Sequence, residues 1–264
     1  LKPDTIHISY CHSPTRFLWD DKDRINAKNY MLNILLHGLR LWDKSASARV
    51  DYFIANSENT ALRIKKYYNR DSTVIYPPVE IKPQIINHKT QTNSNIQNLN
   101  YYLIVSQLHP HKNIEIAINA FEKLNMPLVV IGQGPLLEKL KTKSYKLKAI
   151  SYLGYQPDKV IQEYYKNCKA FIMPQEEDFG IAPVEALKHG KPVLALRRGG
   201  ALEYIKEGIN GEFFDSPHSG VLADGVRRLN ENYPNYNPEE IKKTAEKFSR
   251  QRFEKEILNF IKKI

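Results

Sequence analysis

Apolar and polar positions along this chain follow two rhythms. Short apolar runs cover Thr5 to Tyr10, Val50 to Ala55, Thr73 to Tyr76, Tyr101 to Val105, Pro127 to Ile131, Ile150 to Gly154, Ala170 to Met173 and Pro192 to Leu196. Their length and their Gly, Pro and polar borders predict buried strands. Between them, apolar residues recur at helical spacing. Residues 26–48 place Met31, Ile34, Leu35, Leu39 and Leu41 in this way, and Asn56-Ser57 opens a basic helix over Thr60 to Tyr68. A helix is expected over Asn113 to Leu124 and two more over Pro238 to Ile264, with Phe248, Phe253, Ile257 and Phe260 turned to a core. Strands alternating with helices of this length imply α/β architecture, with parallel sheets and ligands at the carboxyl ends of the strands.

The rhythm fails between Lys82 and Asn100, where Asn, Gln and Thr dominate. That stretch is expected to be a linker. It divides the chain into a first part over 1–81, a second α/β part over 101–235 and C-terminal helices over 236–264.

Composition narrows the class. The 264 residues suffice for one large or two modest domains, and no run reaches the roughly 18–20 apolar residues of a membrane span. Cys11 and Cys168 lie far apart without metal spacing, so reduced thiols in a cytoplasmic protein are expected. The net charge of +10 admits nucleic acid, phosphorylated substrates or anionic membrane as partners. The lysines and arginines are scattered and no RNA-recognition or zinc-finger pattern occurs, which leaves nucleic acid last. Solvated helix faces are the plain reading of the charge, and a basic flank at the inner membrane face is the sharper one.

Candidate chemistry concentrates in PQEEDFGIAPVEALKHGKPVLAL, where seven residues separate Glu177 from Glu185. Glu177 falls in a loop after a strand, and Glu185 falls in a short helix that Gly190 can end. Gly180 lets a ligand approach the backbone, and the first amides of that helix suit an anion. Amides for phosphate beside carboxylates for hydroxyls match the needs of a sugar nucleotide. A lone pair of glutamates at this spacing would more often be a cap and a dipole partner. The following words, GKPVLAL and RRGGALEYIKEGINGEFF, remove that ambiguity.

Together these words resemble the donor-site signature of family 4 retaining glycosyltransferases (glycosyl transferases group 1), which adopt the GT-B fold of two Rossmann-like domains. The resemblance spans nearly the whole chain. ISYCHSPTRFLWD, LWDKSASARVDYFIANS and RIKKYYNRDSTVIYPPV match only the last part of the family's N-terminal, acceptor-binding domain, so that domain is expected to be incomplete here. HSPTRFLWD and EEDFGIAPVEA are most similar to mannosyltransferases of polysaccharide and lipid-linked oligosaccharide assembly.

The resemblance implies a hexosyltransferase that moves mannose from GDP-mannose to a glycan or polyprenyl-linked acceptor, with retention and without metal or other cofactor. No D-x-D signature stands in a convincing loop. Glu177 would contact donor hydroxyls, Glu185 the ribose, Lys112 the diphosphate, and the backbone amides of Phe179, Gly180 and Ile181 the sugar or phosphate. Gly199-Gly200 would form a tight turn beside the site, braced by Glu203, and Tyr155 would lie against the base. Gln107 stands where the family has an Arg, which weakens the phosphate clamp unless His109 or His111 compensates. His12 would act near the transferred sugar, and Arg16, Trp19 and Asp20 would line the acceptor side. The rival reading is a truncated, non-catalytic protein that binds a nucleotide sugar or a partner.

Overall fold

The computed structural model describes residues 4–19, 30–81, 100–143 and 149–264. The expected linker, apart from its last residue, and Asp20 lie outside the described residues. The chain forms two compact units. One comprises residues 1–77 with 253–264, and the other residues 78–252.

In the first unit, β1 (Ile8–Cys11), β2 (Tyr52–Ala55) and β3 (Ser72–Val74) form a parallel sheet in the order β1-β2-β3. The chain passes through α1 (Arg16–Trp19) and α2 (Tyr30–Ser47) before β2, and through α3 (Glu58–Tyr68) before β3. Ser57 caps α3 by accepting the Thr60 amide at 3.0 Å, and Asn69 ends it in the left-handed region at φ 55°. Both ends therefore carry the residue types that the orphan groups of a helix favour. The small core is Val50, Phe53, Ala55 and Ile64.

In the second unit, six parallel strands lie in the order β6-β5-β4-β7-β8-β9. They are β4 (Tyr102–Val105), β5 (Leu128–Ile131), β6 (Ile150–Gly154), β7 (Ala170–Met173), β8 (Val193–Leu196) and β9 (Gly211–Phe214). Intervening helices are α4 (Ile114–Leu124), α5 (Leu137–Lys143), α6 (Asp158–Asn167) and α7 (Ile181–Lys188), followed by α8 (Ser219–Asn232) and α9 (Pro238–Thr244), while α10 (Arg250–Ile261) carries the chain back into the first unit from Phe253 onward. β5, β7, β8 and β9 are buried at every position, as strands covered on both faces must be. From β4 the chain winds outward one way to β6, then returns to β7 and winds the other way. The switch point thus lies between the carboxyl ends of β4 and β7.

One expectation about the C-terminal helices needs correction. Phe248 is buried, but α10 has no buried residue, and Phe253, Ile257 and Phe260 are only half-covered. Phe253 and Phe260 meet Tyr10 and Tyr52 edge-on at 5.8 and 6.1 Å. Among the described side chains of α2, Leu36 and Ser47 are the buried ones, and Met31, Ile34, Leu35, Leu39 and Leu41 are exposed. Both cysteines are free, and burial pushes the Cys168 thiol up to about 12.

Candidate active site

The site assembles at the β4/β7 switch point. After β4 the chain reaches Lys112 through a single 3-10 turn over Pro110–Lys112, and Asn113 then enters α4 in the left-handed region at φ 53°. After β7 it reaches Glu177. Lys112 Nζ lies 2.5 Å from Glu177 Oε1, with both side chains about four-fifths covered. Gln175 donates to the same carboxylate oxygen at 2.9 Å, and Asn113 reaches the Pro174 carbonyl at 3.3 Å. Two contacts, Lys112–Glu177 and Asn113–Pro174, therefore tie two loops that are distant in sequence, and Gln175 steadies the carboxylate within its own loop.

The loop after β7 is pressed against the turn after β8. Gly200 donates its amide to the Glu177 carbonyl at 2.9 Å. Gly199 adopts φ 61°, and a Cβ there would stand 2.3 Å from the Glu177 carbonyl oxygen. At Gly200 the corresponding distance to the Asp178 carbonyl oxygen is 2.5 Å. Neither position has room for a side chain, which gives the Gly-Gly pair a physical reason.

Phe179 is buried, and its ring meets Tyr204 at 5.8 Å and Phe248 at 5.3 Å. Its side chain belongs to the packing beneath the loop, which leaves its backbone as the part available to a ligand. Sequence reasoning put Glu203 forward as the brace. Its neighbour Tyr204 supports a different glycine of the site, fully buried, with its hydroxyl 2.8 Å from where a Gly180 Cβ would stand. Burial first, and then the charges of Glu177 and Glu203, push this phenol well above its ordinary value. An aromatic following GGALE was the available signal, and it was lost among the sixteen tyrosines of the chain.

Gly180 precedes α7 at φ 91° and offers no capping side chain, so the first amides of α7 lack the side-chain partner that most helices have. Ile181, the first residue of α7, is half-exposed. Glu185 lies in the second turn, partly covered, beside the buried Tyr165. Burial and the Glu185 charge raise the Tyr165 phenol well above its ordinary value, which keeps it protonated next to the carboxylate.

Gln107 and Tyr155 share one groove of about 860 Å³ at the carboxyl ends of β4, β5 and β6, together with Gly132, Gln133 and Gln156. Tyr155 is 70% exposed there, so its ring face is available.

In the first unit, His12 is exposed just past β1, with its ring 5.3 Å from Tyr10. Arg16 is half-buried at the start of α1. Trp19 stacks on Tyr67 at 5.0 Å and donates its indole N–H to Asp43 at 2.7 Å, which makes it part of the packing of that unit.

The family model for glycosyl transferases group 1 matches residues 87–250, which include every second-unit residue named above. The chain belongs to that family. The chain is 25% identical to the O-antigen chain mannosyltransferase C of Escherichia coli, over 78% of this chain and 57% of that protein. It is 26% identical to a probable sucrose-phosphate synthase of Thermosipho melanesiensis, over 97% of this chain and 65% of that one. Its fold is similar to that of Anabaena HepE, solved in complex with UDP-glucose, with a TM-score of 0.77 and 20% identity over 98% of this chain and 72% of that one. The chain therefore has the Rossmann-like α/β architecture of the GT-B fold, and it spans about half the length of the curated relatives it matches.

Proposed function

We propose that this glycosyltransferase moves mannose from GDP-mannose to a hydroxyl of a glycan or lipid-linked acceptor, with retention at the anomeric carbon. The observation that carries the reading is the Lys112–Glu177 pair at the switch point, flanked by the uncapped amides of α7 and by Glu185. Transfer breaks the bond between the anomeric carbon and a diphosphate oxygen, leaving negative charge on the diphosphate and positive charge on the sugar ring. Lys112 supplies the cation for the diphosphate. Glu177 meets sugar hydroxyls on the same side, where its charge also favours the developing oxocarbenium. Glu185 accepts from the ribose hydroxyls with its two oxygens. The acceptor proton leaves with the departing diphosphate on the face the new bond forms on, which needs no protein nucleophile.

Tyr155 and the groove behind Gln107 are assigned to the base. His12 and Arg16 are assigned to the sugar and acceptor on the resemblance of their motif, with peripheral attachment to anionic membrane as the setting. Gln107 favours a second reading, binding without turnover, because an amide brings no charge to the diphosphate.

Calorimetry with GDP-mannose, GDP and UDP-glucose tests the proposal. GDP-mannose and GDP are expected to bind more tightly than UDP-glucose, and Glu185→Ala is expected to weaken GDP about tenfold, the worth of a lost charge-assisted hydrogen bond. Failure to bind any nucleotide overturns the donor site. Binding without mannose release selects the second reading.

A further inference from the structure

Glu185 has a buried neighbour that comes from another helix. Glu185 and His189 are four residues apart, in α7 and at its end, so they stand one turn apart on the same side. Tyr165 of α6 meets both. Its ring stacks on His189 at 5.7 Å, with 10° between the planes, and tilts against Phe171 of β7 at 5.8 Å. Gln162 holds the His189 ring at 2.6 Å, and the Cys168 thiol donates to the Tyr165 carbonyl at 3.3 Å. A ring clamped in this way has one place for its hydroxyl. That hydroxyl is fully covered, and it leans toward the Glu185 carboxylate without a well-formed hydrogen bond to it or to any other described residue. An oxygen so placed has left water without a full replacement, which costs stability. Phenylalanine would fill the same space without that penalty. Packing therefore gives no reason for the oxygen, and the neighbouring carboxylate does.

We propose that Tyr165 is a positioning residue for the nucleotide: its hydroxyl donates to the Glu185 carboxylate and fixes that side chain in the orientation that grips the ribose hydroxyls. This role rests on the ribose assignment of Glu185 given under the proposed function. A partly covered glutamate can otherwise turn among several rotamers, and each one that faces away lowers the fraction ready to bind. A rigid donor on the buried side selects one of them. Each carboxylate oxygen has two lone pairs, so accepting from Tyr165 still leaves both oxygens able to accept from the ribose. Tyr165 itself touches no ligand, because its hydroxyl is covered. Burial and the Glu185 charge keep the phenol protonated, so it remains a donor.

The test is calorimetry of wild type, Tyr165→Phe, Glu185→Ala and the double variant with GDP and with dideoxy-GDP, which lacks both ribose hydroxyls. Thermal unfolding of each protein accompanies it. Tyr165→Phe is expected to weaken GDP about fivefold, to leave dideoxy-GDP unchanged and to unfold no earlier than wild type. In the Glu185→Ala background the same change is expected to have no further effect on GDP. Equal GDP affinity of wild type and Tyr165→Phe overturns the positioning role, while a GDP loss in Glu185→Ala leaves the ribose assignment standing. A Tyr165→Phe protein that melts earlier and loses both ligands alike also overturns it, since that is the mark of packing. If Glu185→Ala binds GDP as wild type does, the ribose assignment falls and the role of Tyr165 falls with it.

Discussion

Lys112 Nζ and Glu177 Oε1 stand 2.5 Å apart although 65 residues separate them, because β4 and β7 are neighbours in the sheet and each ends in one of the two loops. The pair is largely covered, and Gln175 holds the carboxylate from another side. Removing Lys112 leaves that carboxylate with the Gln175 amide as its hydrogen-bond partner among the described residues. Lys112→Met is expected to destabilise the second unit by about 1–3 kcal/mol and to weaken GDP more than guanosine. A double-mutant cycle with Glu177→Gln, read by urea denaturation and calorimetry, is expected to give a coupling of about 1–2 kcal/mol. No coupling would mean that the pair does not fix the loops.

The Gly-Gly turn offers a steric test. Ala at position 199 or 200 puts a Cβ within 2.3 or 2.5 Å of the carbonyl oxygens of Glu177 or Asp178, so the loop after β7 must shift. Each substitution is expected to cost about 1–3 kcal/mol and to lower donor affinity with it. Gly208→Ala is the control, since open space surrounds that position although its φ of 75° still adds strain. It is expected to lower stability without changing donor affinity.

Phe179 acts on the loop from below. Its ring, Tyr204 and Phe248 form a buried cluster under Gly180. Phe179→Ala is expected to cost about 3–5 kcal/mol in thermal or urea unfolding. Phe179→Leu is expected to cost less than half of that and to retain nucleotide binding. A larger loss of binding than of stability in the Leu variant would assign the ring a direct contact with the ligand.

His189 provides a pH signature. Burial and the nearby Lys191 lower its pKa from 6.5 to about 4, with the ring stacked on Tyr165 at 5.7 Å and hydrogen-bonded to Gln162 at 2.6 Å. Between those values the unfolded chain binds a proton that the folded one refuses. Its contribution to stability is therefore complete above pH 6.5 and declines as pH falls toward 4. The ring is only partly covered, so the expected loss is about 1 kcal/mol after allowance for solvent screening. Thermal unfolding of wild type and His189→Gln at pH 5 and pH 7 measures it, and an equal decline in both would remove His189 as the cause.

The sequence by itself determined the strand runs of the second unit, the helix over Ile114–Leu124 and the Glu177-to-Glu185 word. Fully buried parallel strands are continuous apolar runs, and turns and caps are chosen by local backbone chemistry. It determined equally that Gly199-Gly200 is a tight turn. It could not say what that turn presses on, since the Glu177 and Asp178 carbonyls arrive from a different strand. The tertiary structure alone decided that Lys112 meets Glu177, because strand order follows from packing and not from local pattern. It also decided that Tyr204 supports Gly180 and that Tyr165 lies beside Glu185, choices among many tyrosines with similar local surroundings. Most of all it decided which way α2 faces. Its spacing names one apolar face but not what meets it; Asp43 and Arg40 find their partners on the other side, and Met31, Ile34, Leu35, Leu41 and Trp42 stand exposed.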